Sequence, residues 1–141
     1  MRDQRPRVLF VCVKNAGKSQ MAAALMKHRA ADTVQVQSAG TRPGTNLNQL
    51  SVASLAEVGV DISGEKPKPM TDQDVRAADL VVILGREASV DQIDGTRFEN
   101  WDTDEPSERG IEGLERMRLV RDDIDRRVQD LLSRLLAESS R

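Results

Sequence analysis

The chain lacks several residue types that common kinds of site require. Its 141 residues include no tyrosine, and aromatic residues make up 2% of the sequence. There is one cysteine, Cys12, and one histidine, His28. A single cysteine excludes an intramolecular disulfide and a cysteine-rich zinc site, and a single histidine excludes any mechanism that needs two. We therefore predict no metal site and no aromatic ligand pocket.

Long hydrophobic runs and an excess of basic charge are also missing. The longest apolar runs, residues 8–13 and 80–84, are far shorter than the ~20 residues that span a membrane. Residues 1–6 are polar and show no secretory signal pattern. Lysine and arginine number 21 against 23 acidic residues, and no basic and aromatic cluster of the nucleic-acid-binding kind is present. We predict a cytoplasmic protein that binds neither membranes nor nucleic acid.

The apolar pattern alternates between strand-like and helix-like segments. Apolar and alternating runs predict strands at residues 7–13, 34–37, 78–84 and 96–101. Helical spacing and end signals predict helices at residues 18–31, 48–58, 71–76 and 111–137. The rest is predicted as loop, including residues 38–44 and 85–94, the latter with one helical turn. The order indicates an α/β fold, a three-layer open sheet of about four parallel strands with helices on both faces. We assign residues 1–141 to one domain and expect residues 1–6 to be flexible.

The last predicted helix carries acid–base pairs four residues apart, with the acid first, which is the favourable order. We interpret them as ion pairs on a solvated face. The pairs are Asp122 with Arg126, Asp123 with Arg127, and Asp130 with Arg134.

The strongest chemical signal follows the first predicted strand. Cys12 ends that strand, and residues 13–17 turn into a helix. Ligands of open parallel sheets bind at the carboxyl ends of strands, and the N–H groups of such a loop, with the helix dipole, form an anion cradle. Lys14, Lys18 and the hydroxyl of Ser19 would help the cradle to stabilise a Cys12 thiolate. The predicted anion-binding residues are Val13, Lys14, Asn15, Ala16, Gly17, Lys18 and Ser19.

Two other interpretations use the same residues. A lone cysteine at the end of a buried strand is often an inert hydrophobic residue. Residues 17–19, Gly-Lys-Ser, also match the end of a nucleotide-binding P-loop, but Cys12 occupies that motif's first glycine position. We favour the reactive thiolate because strand, cysteine, turn, Lys-Ser and helix form a specific combination.

Four segments resemble the low-molecular-weight protein tyrosine phosphatases and the arsenate reductases of that fold. Residues 8–19 resemble the family's Cys-x5-Arg-Ser loop, with Asn15 at the position of a loop-bracing asparagine. Residues 38–41 resemble its Ser-Ala-Gly segment, and residues 57–63 its Glu-x-Gly-Ile-Asp-Ile-Ser stretch. Residues 104–106, Asp-Glu-Pro, lie where the family has an Asp-Pro that carries the general acid. The resemblance covers nearly the whole chain in order.

The departures from the family pattern indicate which branch of the family the chain most resembles. Lys18 replaces the loop arginine, and a lysine offers a point charge where arginine grips an oxyanion with two donors. Residues 15–22, 48–51 and 115–122 most resemble the actinobacterial arsenate–mycothiol transferases. Thioredoxin-coupled members have two further cysteines in the region that matches residues 84–92, which here has none. The resemblance thus implies that an outside thiol completes the reaction.

The expected function is arsenate detoxification without a tightly bound cofactor. The resemblance implies that Cys12 attacks arsenate, that Lys18 and Ser19 support the site, and that Glu105 or Asp104 protonates the departing oxygen. Mycothiol then takes the arsenic as co-substrate, and a mycoredoxin-like reductase later releases arsenite. Phosphate and sulfate should mimic arsenate in the site. The alternatives are a tyrosine or small-molecule phosphatase and a non-catalytic oxyanion-binding protein.

Overall fold

Four parallel strands form a single sheet in the computed structural model, which describes residues 4–139. The strands are β1 (Arg7–Cys12), β2 (Gln35–Gly40), β3 (Leu80–Leu84) and β4 (Arg97–Trp101), in the order β2-β1-β3-β4. The helices are α1 (Lys18–Ala30), α2 (Gln49–Ala56), α3 (Asp72–Ala77) and α4 (Gly113–Ser139), with a short 3-10 helix at Pro106–Arg109. The predicted α/β fold with four parallel strands is confirmed.

Both faces of the sheet are covered, but unequally. Alternate residues of β1 point to opposite faces, both of which are covered, which is why the strand is apolar from Val8 to Cys12. Phe10 and Cys12 belong to the larger core, formed with α1, α2 and α4. Leu9 and Val11 belong to the smaller core, where α3 and residues 88–93 cover the sheet.

The position of β1 determines where a ligand can bind. It pairs with β2 on one side and with β3 on the other, both in parallel. The chain therefore changes direction across the sheet beside the carboxyl end of β1, and such a switch point is where open α/β sheets bind ligands. Cys12 is the last residue of β1 and lies at this point.

Two loop predictions were wrong in detail. β2 continues to Gly40, because Ser38, Ala39 and Gly40 pair with Phe10, Val11 and Cys12, so tertiary pairing overrides the turn-like composition of this segment. Residues 85–94 contain no helical turn, since their apolar side chains pack against the sheet from an irregular backbone. The sequence predicts that residues 1–6 are flexible. Residues 1–3 lie outside the described residues. Pro6 contacts the start of β2, since its carbonyl accepts the N–H of Gln35 at 2.8 Å.

The charged face of α4 differs from the predicted pattern. The Asp123–Arg127 and Asp130–Arg134 pairs form, at 3.2 and 3.1 Å. The predicted Asp122–Arg126 pair is wrong, because Arg126 turns to Asp123 at 3.1 Å. Nor is the face fully solvated, since Asp123 is buried and accepts the backbone N–H of Asp104 at 2.9 Å. Asp123 therefore fixes the loop that precedes the 3-10 helix.

Glu57 links the end of α2 to α4 through Arg118 and Arg121, at 2.6 and 2.9 Å. The hydrogen bond from Arg118 is the main reason why the pKa of Glu57 falls from 4.5 to about 2. A carboxylate with a lowered folded-state pKa stabilises the fold above its unfolded-state pKa, and that contribution is lost as the pH falls towards the folded-state value.

We expect the free energy of unfolding of Glu57→Gln to depend less on pH, in the acid range, than that of the parent. The free energy of unfolding of the parent should fall more steeply than that of the variant between about pH 4.5 and about pH 2. Urea denaturation at several pH values in this window measures the difference. Parallel curves would show that the pairs with Arg118 and Arg121 do not stabilise the fold.

Candidate active site

The loop of residues 13–17, which we call the anion loop, is held from outside by residues 41–48. Backbone N–H groups of that segment donate to carbonyl groups at and around the anion loop over 2.8 to 3.1 Å. The pairs are Thr41 to Cys12, Arg42 to Val13, Gly44 to Lys14, and Asn48 to Ala16. Within the described residues, the N–H groups of Lys14, Ala16, Gly17 and Lys18 donate to no other protein group. Free donors at the start of α1 are the requirement for an anion site.

Close packing around the anion loop explains two sequence features. A Cβ on Gly40 would lie 2.7 Å from the carbonyl oxygen of Val13, so only glycine fits at the end of β2. A Cβ on Gly17 would lie 3.3 Å from Oγ of Ser51 at the start of α2. Asn48 caps this helix by accepting the N–H groups of Leu50 and Ser51. The contact of α2 with the anion loop was not predicted from the sequence, although an N-cap at Asn48 is readable there.

The sulfur of Cys12 receives hydrogen bonds from the anion loop and from α1. Its Sγ lies 2.9 Å from Oγ of Ser19 and accepts the N–H of Asn15 at 3.2 Å. The side-chain amide of Asn15 donates to Oγ of Ser19 at 2.7 Å. Because that oxygen already accepts a hydrogen bond, its own proton is available for the sulfur. Donors of this kind stabilise a thiolate, in the arrangement predicted for Cys12 and Ser19.

Asn15 is the fixed point of this network. Its φ of 53° lies in the left-handed region, which asparagine tolerates better than most residues. The side chain is fully buried, and its Oδ1 accepts Nε2 of Gln20 at 3.0 Å and the N–H of Lys68 at 2.9 Å. Gln20 also donates to the carbonyl of Lys66 at 3.1 Å. The braces from Gln20 and residues 66–68 were missed, because no local pattern connects them to the anion loop.

We expect Ser19→Ala to slow the alkylation of Cys12 by iodoacetamide at neutral pH. The variant removes the side-chain donor to the sulfur and leaves the N–H of Asn15 as the remaining donor. One hydrogen bond to a charged group is worth about 1.5–3 kcal/mol. The initial rate of alkylation measures the effect, and added phosphate should slow the parent by occupying the anion loop. A variant that reacts as fast as the parent would remove Ser19 from thiolate stabilisation.

The two lysines near the thiol have different surroundings. Lys18, the first residue of α1, is half-buried and forms an ion pair with Oε1 of Glu105. Oε2 of the same carboxylate lies 3.7 Å from a terminal nitrogen of Arg116 on α4. Gly85 lies beside this contact, and its φ of 89° is in the left-handed region that favours glycine. Lys14 is exposed. Lys18 is therefore the lysine that meets the candidate acid.

The two candidate acids are also distinguished by their partners. Arg109 holds both carboxylate oxygens of Asp104, at 2.8 and 3.0 Å. This hydrogen bonding is the main reason why the pKa of Asp104 lies below its ordinary value. A carboxyl group with a lowered pKa is a poor proton donor at neutral pH. Glu105 contacts Lys18 at the end of the anion loop, so the two acids differ in their position relative to that loop.

No other feature competes for this site. Among residues 4–139, no group of three or more histidine, cysteine, aspartate or glutamate residues is placed to hold a metal ion. No described helix is long and apolar enough to cross a membrane. A cavity of about 530 Å³ lies beside α1 and β2, but Cys12 is not among its lining residues. The backbone donors of the anion loop therefore define the site.

Comparison with known proteins places the chain in a family. Residues 7–141 match the low molecular weight phosphotyrosine protein phosphatase model. A putative arsenate reductase of Halobacterium salinarum is 31% identical, with 92% of each chain covered. A glutaredoxin arsenate reductase of Synechocystis is 30% identical over 92% of this chain and 98% of its own.

Comparison with solved structures gives the same family of proteins as the sequence matches. A thioredoxin-dependent arsenate reductase of Corynebacterium glutamicum superposes with a TM-score of 0.78 at 35% identity. That match covers 95% of this chain, which spans 63% of the length of that protein. An arsenate reductase in the phosphate-binding state has a TM-score of 0.80 at 30% identity, covering 92% and 98% of the two chains. The chain therefore belongs to the low molecular weight phosphotyrosine protein phosphatase family.

Proposed function

We propose that this chain is an arsenate reductase that uses Cys12 alone and passes the arsenic to mycothiol. The observation that carries the proposal is the pairing of Cys12 with Ser19 and Asn15 at the base of free backbone donors, in a chain that has no second cysteine. The similar proteins named above support arsenate as substrate. Their reductants differ, so the thiol partner is argued from this chain.

In the first step the Cys12 thiolate attacks arsenic and forms a sulfur–arsenic bond. One arsenic–oxygen bond breaks: the Glu105 carboxylate takes a proton from dihydrogen arsenate and passes it to the departing hydroxyl, which leaves as water. The N–H groups of the anion loop and the Lys18 ammonium stabilise the remaining oxygens. Arsenic stays in the +5 state. The contact between Lys18 and Glu105 supports this assignment of the acid.

In the second step a mycothiol thiol attacks the arsenic. A new sulfur–arsenic bond forms, the bond to Cys12 breaks, and Cys12 leaves as a thiolate. The Glu105 carboxylate takes the thiol proton and passes it to solvent, which restores the starting state. The arsenic, still in the +5 state, leaves the enzyme as an arseno-mycothiol adduct.

Reduction takes place on the released adduct. A mycoredoxin-like thiolate attacks the mycothiol sulfur, and the electron pair of the sulfur–arsenic bond stays with arsenic. The products are arsenite and a mixed disulfide between mycothiol and the reductase. An enzyme with one cysteine requires an outside thiol for the reduction, because it has no second thiol with which to form an internal disulfide.

A phosphatase is the second candidate, since phosphate fits the same anion loop and the matched family model describes phosphatases. Two features weaken it. Lys18 offers a point charge rather than a two-donor grip, and no tyrosine is present to pack against an aryl ring.

Arsenite release by the purified chain, with arsenate and separate thiol systems, tests the proposal. The systems are mycothiol with mycoredoxin, glutathione with glutaredoxin, and thioredoxin with its reductase. We expect arsenite with the mycothiol system and none with thioredoxin. Arsenite with thioredoxin alone would contradict the proposed partner, and hydrolysis of an aryl phosphate without arsenate turnover would favour the phosphatase.

A further inference from the structure

Glu105 lies between two cations that hold it unequally. Lys18 pairs with one carboxylate oxygen, and Arg116 lies 3.7 Å from the other, which is too far for a hydrogen bond. The Nε of Arg116 is buried and has no partner among the described residues. On the same helix, Arg118 donates from Nε and from a terminal nitrogen to the two carboxylate oxygens of Glu57. Arg116 therefore keeps unused donors next to the candidate acid, an arrangement that is unfavourable unless another state uses them.

The anion site creates such a state. Lys18 is the lysine that contacts Glu105, and it stands at the end of the anion loop. In the proposed function, an oxyanion in that loop draws the Lys18 ammonium away from the carboxylate. Glu105, whose side chain is 27% exposed, would then be a half-buried carboxylate without its partner, which is unfavourable.

We propose that Arg116 is a positioning residue that takes over Glu105 from Lys18 when the oxyanion binds. Its Nε–H and terminal N–H groups form the fork that matches a carboxylate, and a small approach closes the 3.7 Å gap. The exchange releases Lys18 to the anion and keeps Glu105 beside the anion loop. This inference rests on the oxyanion site of the proposed function, but not on turnover.

The exchange predicts coupling between residues 105 and 116. Arg116→Ala should weaken phosphate binding about three- to tenfold. Without Arg116, the Glu105 carboxylate is left unpaired when Lys18 moves to the anion, and this cost reduces the affinity. In a Glu105→Gln background there is no carboxylate to strand, so the same substitution should have less than half that effect on the logarithm of the affinity. A general effect of positive charge on the anion would be the same in both backgrounds.

Phosphate titration by calorimetry of the parent, both single variants and the double variant tests the inference. Arg118→Ala is the matched control, since it removes an arginine two residues away that also pairs with a glutamate, and it should leave phosphate affinity unchanged. Circular dichroism checks that each variant is folded. Equal losses in the two backgrounds, or no loss from Arg116→Ala, would overturn the exchange, as would a parent that does not bind phosphate. Because the assay needs no turnover, a chain that binds phosphate with this coupling but does not process arsenate would refute only the proposed function.

Discussion

Cys12→Ser is expected to abolish arsenate turnover and to leave the fold intact. No other residue of the chain carries a thiol, and a serine hydroxyl at neutral pH is a far weaker nucleophile than a thiolate. The smaller oxygen keeps the contacts with Ser19 and the N–H of Asn15 within reach. Arsenite release in the mycothiol system measures turnover, and the thermal midpoint checks the fold.

Ser38→Ala provides a matched control for Cys12→Ser. Ser38 is also buried and lies at the carboxyl half of a strand, but the hydrogen bonds to the sulfur within the described residues come from Ser19 and Asn15. It should keep its arsenate turnover. Cys12→Ser should still bind phosphate, because the anion loop is built from backbone groups. Turnover retained by Cys12→Ser would remove Cys12 from the mechanism.

Lys18→Ala is expected to raise the KM for arsenate by about 10- to 150-fold. The reason is the loss of a charge-assisted contact to the oxyanion, worth about 1.5–3 kcal/mol. Steady-state kinetics over a range of arsenate concentrations give KM and kcat separately. Lys14→Ala is the control, because Lys14 is exposed and should change KM little.

Lys18→Arg tests whether residue 18 determines the preference for arsenate turnover over phosphate ester hydrolysis. It restores a two-donor grip on the anion, so we expect arsenate KM to stay near that of the parent and aryl-phosphate hydrolysis to rise. The increase should be small, since no tyrosine is present to hold an aryl ring. If Lys18→Ala and Lys18→Arg both behave as the parent, Lys18 is not an anion ligand and the backbone donors alone bind the oxyanion.

Local patterns predicted the parts of the site that are close together in the chain. The spacing of Cys12, Lys18 and Ser19 is readable because the anion loop joins a buried strand to a helix, and hydrophobic periodicity locates both. The same reasoning found all four strands. It placed the end of β2 too early, because the pairing of Ser38 and Gly40 with β1 is a tertiary effect.

Parts of the site that come from distant segments were not predictable in this way. Gln20 braces Asn15 together with the backbone of residues 66–68, and no periodicity signals such a contact. The sequence places Asp104 and Glu105 side by side without distinguishing them. The structure distinguishes their surroundings, because Asp104 pairs with Arg109 and Glu105 pairs with Lys18.

The product of a reaction without mycoredoxin tests the central claim most directly. Purified chain, arsenate and mycothiol are incubated, and the small molecules and the intact protein are analysed by mass spectrometry. The account predicts an arseno-mycothiol adduct that accumulates over many turnovers, free Cys12 in the recovered protein and no arsenite beyond a control without enzyme. Arsenite formed together with a protein–mycothiol disulfide at Cys12, or unchanged arsenate, would contradict it.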